Sequence, residues 1–175
     1  MFKKFVLLIV APFFLYGGEL QLVQGSVHAH TEVFGDSSIE PYAEKIYATF
    51  AMEEPVTSLR GEVFFQVLDF VSDKQSRDES MHEAMEHTKY DKVVFTLSEL
   101  IQEKEKYYAK GLLALHGVQK EINIPVTVEQ KDEQLTLNAT FSIKMSEYGI
   151  TPPTLLFLTV RDEVDIRVAL QLQRM

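Results

Sequence analysis

The sequence predicts an all-β, antiparallel fold, and three observations carry that prediction. Apolar and polar residues alternate with period two through much of the chain, turn-forming residues separate the alternating runs, and only one short stretch has helical spacing. The turn signals are Gly35-Asp36, His116-Gly117, Lys131-Asp132 and Pro152-Pro153. Alternation by itself leaves a sandwich and a barrel equally open.

In chain order the predicted strands are 21–30, 45–52, 59–70, 93–100, 107–116, 122–128, 135–143 and 164–172. The last two are the clearest. Leu135, Leu137, Ala139, Phe141 and Ile143 alternate with Thr136, Asn138, Thr140 and Ser142, and Val164, Ile166, Val168, Leu170 and Leu172 repeat the pattern. Successive side chains on a strand point to opposite faces, so each run has one dry and one wet face. In 122–128 the alternation includes Pro125, which cannot donate to a ladder and implies an edge or a bulge. Between the third and fourth strands, residues 80–87 place Met81 and Met85 on one helical face, with Ser80 positioned to cap the start. The run Glu103-Lys104-Glu105-Lys106 reads as a solvated hairpin loop.

The start of the chain has a different character. Lys3 and Lys4 precede an almost unbroken apolar run from Phe5 to Leu15, and Glu19 is the first acidic residue. This is the layout of a secretory signal peptide, and the run is shorter than the roughly 20 apolar residues a membrane span needs. Residues 1–18 are therefore expected to be a signal peptide and 19–175 a single domain, placed in a periplasm. The mature chain of 157 residues would carry a net charge of −11, against −9 for the whole. Such a surface repels nucleic acid, so no nucleic-acid partner is expected. The chain has no cysteine, which excludes disulfides, thiol catalysis and cysteine-based zinc sites.

Few motifs point to chemistry. His28 and His30 lie two apart on a strand and face the same way, so they could share a metal if His82, His87, His116 or a carboxylate supplied a third ligand. A pair of exposed strand histidines is the simpler reading, and no metal is expected. No Gly-x-Ser-x-Gly elbow, phosphate loop or dinucleotide fingerprint is present. No catalytic residue is assigned, and the chain is expected not to be an enzyme.

Motifs spread from about Val23 to Leu172 nevertheless occur in a recognisable order. They are Gly25-Ser26-Val27-His28 and Phe34-Gly35, then Arg77-Asp78-Glu79-Ser80-Met81 with Ala84, Lys89-Tyr90 and Val93-Val94-Phe95. The hairpin from Gly111 through Gly117 to Lys120 follows, then Phe141-Ser142-Ile143 with Tyr148-Gly149-Ile150, and finally Asp162-Glu163-Val164-Asp165-Ile166. In this order the sequence resembles the YceI-like family, the bacterial polyisoprenoid-binding proteins of lipocalin-like fold. It departs from the family pattern at Ser80, where a histidine is usual, and at Asp91, where a proline is usual.

The resemblance implies an extended eight-stranded antiparallel β-barrel with one short helix, around a long apolar tunnel. It implies as ligand an isoprenoid or similar long-chain amphiphile, such as a quinone or polyprenyl lipid, and no other cofactor. Taken one at a time, the inward-facing residues simply fill a core. As a set, the resemblance turns them into tunnel wall: Phe50, Phe65, Val67, Val93, Phe95, Leu113, Leu115, Leu137, Phe141, Ile143, Ile166 and Val168, with Met81 and Met85 lining or capping the mouth. Arg77, Asp78 and Asp162 are expected to form a polar, turn-fixing cluster at one barrel end. Ligand exchange would bring transient contact with a membrane or membrane protein, and a homodimer is left open. The competing reading is a barrel packed shut, an envelope stress or structural protein acting through a protein partner.

Overall fold

The computed structural model describes residues 18–33, 37–155 and 158–175. Apart from Gly18, the expected signal peptide lies outside the described residues, as do the Phe34-Gly35 motif and the Gly35-Asp36 turn.

Eight long strands close into one antiparallel barrel. They are β1 (Gly18–Val33), β4 (Tyr47–Met52), β5 (Arg60–Gln66), β6 (Lys92–Glu103), β7 (Lys106–Leu115), β8 (Val118–Lys131), β9 (Gln134–Lys144) and β12 (Glu163–Arg174). Each of β4 to β9 pairs with the next long strand, β9 pairs with β12, and β12 returns to β1, which also pairs with β4. The fold is therefore an all-β, eight-stranded barrel of lipocalin-like form, with one α-helix among the described residues. Closure removes the two long free edges that an open sheet would present. β1 is 16 residues long, about three times a usual strand of ~5–6, so the barrel is elongated. Four short strands decorate one end: β2 (Ser37–Ile39) and β3 (Tyr42–Ala43) pair with β1, and β10 (Thr154–Leu155) pairs with β11 (Leu158–Thr159). Alternation did not reveal these four, because two or three residues are too few to show a period.

Three tight turns follow from local chemistry. Lys104, Asp132 and the pair His116-Gly117 have positive φ, the geometry that matches a two-residue hairpin to the twist of its strands. The Lys104 turn is the expected charged loop. The turn expected at Lys131-Asp132 sits one residue later, because Lys131 still pairs with Gln134.

Pro125 has a specific place. β8 pairs with β9 from Lys131 back to Val126, while residues 118–125 pair only with β7. Pro125, opposite Tyr108, stands where the second ladder has just ended, so its missing N–H costs no bond there. The expected edge is a local opening in an otherwise closed wall.

Two expectations need correction. The third strand stops at Gln66, and Val67–Asp69 is a single 3-10 turn whose Val67 N–H bonds the Asp91 carbonyl. The helix α1 spans Gln75–Ala84, beginning five residues before Ser80. Ser80 is therefore not a cap. Its hydroxyl donates to the Ser76 carbonyl at 3.1 Å, one turn back within the helix. Asp78 serves the helix start instead, accepting the Ser72 N–H at 2.7 Å.

Candidate functional site: an apolar cavity along the barrel axis

The barrel interior holds two separate groups of buried residues. At the base, Leu59, Leu135 and Leu172 are fully buried and close the end. At the opposite end, α1 lies over the opening, with Met81, Ala84 and Met85 packed against the group that contains Phe65, Phe70 and Tyr148. His116 pins the far end of this cover. Its Nδ1 is 3.0 Å from the Tyr148 carbonyl oxygen, and its Nε2 is 2.7 Å from Glu86 Oε2, just beyond the helix.

Between base and helix runs a cavity of about 260 Å³. It exceeds the ~150 Å³ apolar void that stays dry and accepts benzene, and approaches the ~300–1,000 Å³ of small-molecule sites. On β12 alone it touches every second residue from Val164 to Leu170, a run of about 20 Å at ~3.3 Å per residue. The cavity is thus narrow and long.

Its wall is aliphatic and aromatic. The only polar side chains among the described lining residues are Thr31, Arg77 and Ser80. Thr31 is spoken for: its buried hydroxyl lies 3.1 Å from the carbonyl oxygens of both Arg161 and Glu163. Arg77, largely covered, lies 3.3 Å from Asp73 one turn earlier in the chain. None of the described lining residues is a carboxylate or a histidine.

Of the residues predicted from sequence, Phe50, Phe65, Met81, Met85, Val93, Phe95, Leu113, Leu115, Leu137, Phe141, Ile143, Ile166 and Val168 line this cavity. Val67 does not; it is buried in the 3-10 turn that ends β5, where the strand alternation that predicted it no longer applies. Sequence reading missed Ile39, Pro41 and Val160, which line the mouth from the short decorating segments. It also passed over Leu97 and Ile124, although period two was their signal, and Leu100, which the bulge between Leu97 and Glu99 puts on the inner face out of phase.

Arg77, Asp78 and Asp162 are not one cluster. Each has its own partner: Asp73 for Arg77, Ser72 for Asp78, and Ser146 for Asp162. Asp162 accepts the hydroxyl and N–H of Ser146, and these bonds hold its carboxyl below the ordinary carboxylate range. It thereby fixes the turn Met145–Tyr148. Asp165 is likewise held low by the Ser142 hydroxyl, with Arg161 adding to the effect. Tyr148, buried beneath the mouth, has its hydroxyl pushed up by desolvation and then by Glu147.

His28 and His30 share the outer face but not a ligand set. His28 stacks on Tyr42 with ring centres 5.7 Å apart, while His30 lies between Glu32 at 3.5 Å and Glu40 at 3.3 Å. Among the described residues, no group of three or more His, Asp or Glu could hold a metal ion, and no helix is long and apolar enough to cross a membrane.

Several solved structures share this architecture. BcnA of Burkholderia cenocepacia superposes with a TM-score of 0.74 at 20% identity, over 84% of this chain and 95% of its own. A polyisoprenoid binding domain from Saccharophagus degradans, implicated in plant cell wall breakdown, gives 0.72 at 11% identity over 89% and 98%. The Campylobacter jejuni YceI protein gives 0.67 at 16% identity over 81% and 88%. At such identities the likeness establishes the fold. No curated protein matches the chain in sequence. The family model of the YceI-like domain matches residues 18–172, nearly every residue of the barrel, and the chain belongs to that family.

Proposed function

We propose that this protein binds a long-chain apolar ligand in its barrel, an isoprenoid or a similar amphiphile such as a quinone or polyprenyl lipid. In this reading it carries the ligand through the periplasm after export on residues 1–18, and performs no chemistry of its own. The observation that carries the reading is the cavity: about 260 Å³ of unfilled, almost wholly apolar space, drawn out along the barrel axis. Its lining residues, those predicted from sequence among them, are the proposed ligand contacts. The Saccharophagus relative, described as a polyisoprenoid binding domain, supports the same ligand class here.

The energetics favour a chain over a compact ligand. Burying a methylene is worth about 0.8 kcal/mol, so a dozen of them contribute about 10 kcal/mol before the ~4 kcal/mol or more that association costs. A wall with few hydrogen-bonding groups can therefore hold a long chain well and a small polar molecule poorly. The unfilled interior also counts against a barrel packed shut and acting only through a protein partner.

The test is mass spectrometry of an organic extract of the protein, purified after export from a bacterial host. A near-stoichiometric isoprenoid or quinone is the expected result. A folded protein whose extract contains no chain lipid, and which takes none up from added prenyl alcohol, would overturn the reading.

A further inference from the structure

The two buried groups inside the barrel have no member in common; Ile46, Phe95 and Ile122 pack against both, and of these three it is Phe95 that lines the cavity. It therefore stands at the waist of the cavity, between the compartment under the helix and the deeper one around Phe50, Leu100 and Leu170. Phe95 points inward from β6. An aromatic ring at that station would ordinarily reach across a narrow lumen.

Here the ring lies down instead. Its register partner on β7 is Leu113, and Gly111 is two residues along the same inward face. A Cβ at residue 111 would meet the Thr96 backbone carbonyl oxygen first, and would stand 2.7 Å from Phe95 Cζ and 3.0 Å from Cε2. The ring thus occupies the space a side chain at 111 would need, flat against the barrel wall. Deeper down the arrangement recurs: Phe50 lies over Gly61, where a Cβ would stand 2.5 Å from Phe50 Cδ1. In both places an inward phenylalanine covers a glycine on the neighbouring strand, a packing that also shields the bare glycine backbone.

We propose that the Phe95–Gly111 pair sets chain-length specificity: glycine at 111 keeps the Phe95 ring against the wall, and this leaves the deep compartment open to the end of a bound chain. The inference rests on the lipid-binding reading above. A side chain at 111 would turn the ring into the lumen, so that only the compartment under the helix remained usable. The protein would then prefer short chains.

A homologous series of straight-chain primary alcohols, titrated into delipidated protein by calorimetry, tests this. For the wild type, affinity should climb by about fourfold per added methylene until the chain reaches the base, then level off. Gly111→Ala should level off several methylenes earlier. Phe95→Trp, which adds bulk while keeping glycine at 111, should do the same and covers the case in which Gly111→Ala does not fold. The double variant Gly111→Ala with Phe95→Leu should return the break towards the wild-type length, since the obstructing ring is gone. Variants that bind but break at the wild-type length, or a double variant that binds without rescue, would overturn the Phe95–Gly111 assignment alone. A wild type that binds no alcohol of any length would overturn the lipid-binding reading instead.

Discussion

Leu170 and Leu172 offer a direct test of whether the barrel interior is empty in solution. They lie two residues apart on β12, face the same way and are both buried, at 5% and 0% exposure. Leu170 borders the cavity; Leu172 does not, and is packed into the base, opposite Leu22 on β1 and Leu135 on β9. Truncating a fully packed leucine to alanine costs about 2.7–5.0 kcal/mol, rising with the void it leaves. Leu172→Ala should fall in the upper part of that range, about 4 kcal/mol. Leu170 has no packing partner on its cavity side and so loses fewer contacts on truncation; about 2.5 kcal/mol is expected. With an m-value of about 2 kcal/mol/M in urea, the midpoints of the two delipidated variants should differ by about 0.75 M. Loading with a chain lipid should narrow the gap, because Leu170 then has a partner to lose. Equal midpoints without lipid would mean that the cavity is collapsed or filled, and the argument from its emptiness would fail.

Phe141→Asp should abolish ligand uptake or folding, because it sets a carboxylate on the apolar cavity wall, whereas His28→Ala on the outer face should bind lipid like the wild type; chemical denaturation and lipid titration check both. Asp162 and Asp165 bind their proton less readily in the folded barrel than in the unfolded chain, so their stabilisation is complete above about pH 4 and drains away as pH falls further. The difference in Tm between wild type and Asp162→Asn should therefore shrink below that pH, and a pH-independent difference would contradict it. Thr31→Val should cost about 1 kcal/mol in denaturant, the usual net worth of a hydrogen bond, because the Arg161 and Glu163 carbonyls lose their hydroxyl donor.

The sequence by itself determined the strand character, the inward set and the absence of polar machinery among it. Period two is a local property: once the backbone is extended, Leu135 and Leu137 must face one side and Thr136 the other, whatever the neighbours are. Hence eight long strands and nearly all of the predicted lining were legible, with Val67 lost where the extended backbone ends. The resemblance of its motifs to a family then pointed to a barrel where alternation alone had left a sandwich open. Tertiary structure decided the rest. Whether inward residues meet or leave a space depends on closure between β1 and β12 and on where rings turn after closure, which pairs Phe95 with Gly111 across strands. The short segments carrying Ile39 and Val160 have no periodicity to read, and their place at the mouth comes from pairing with distant backbone. Even α1 was set from outside the repeat, by the Asp78–Ser72 bond that starts the helix a turn and more before the methionine face alone would suggest.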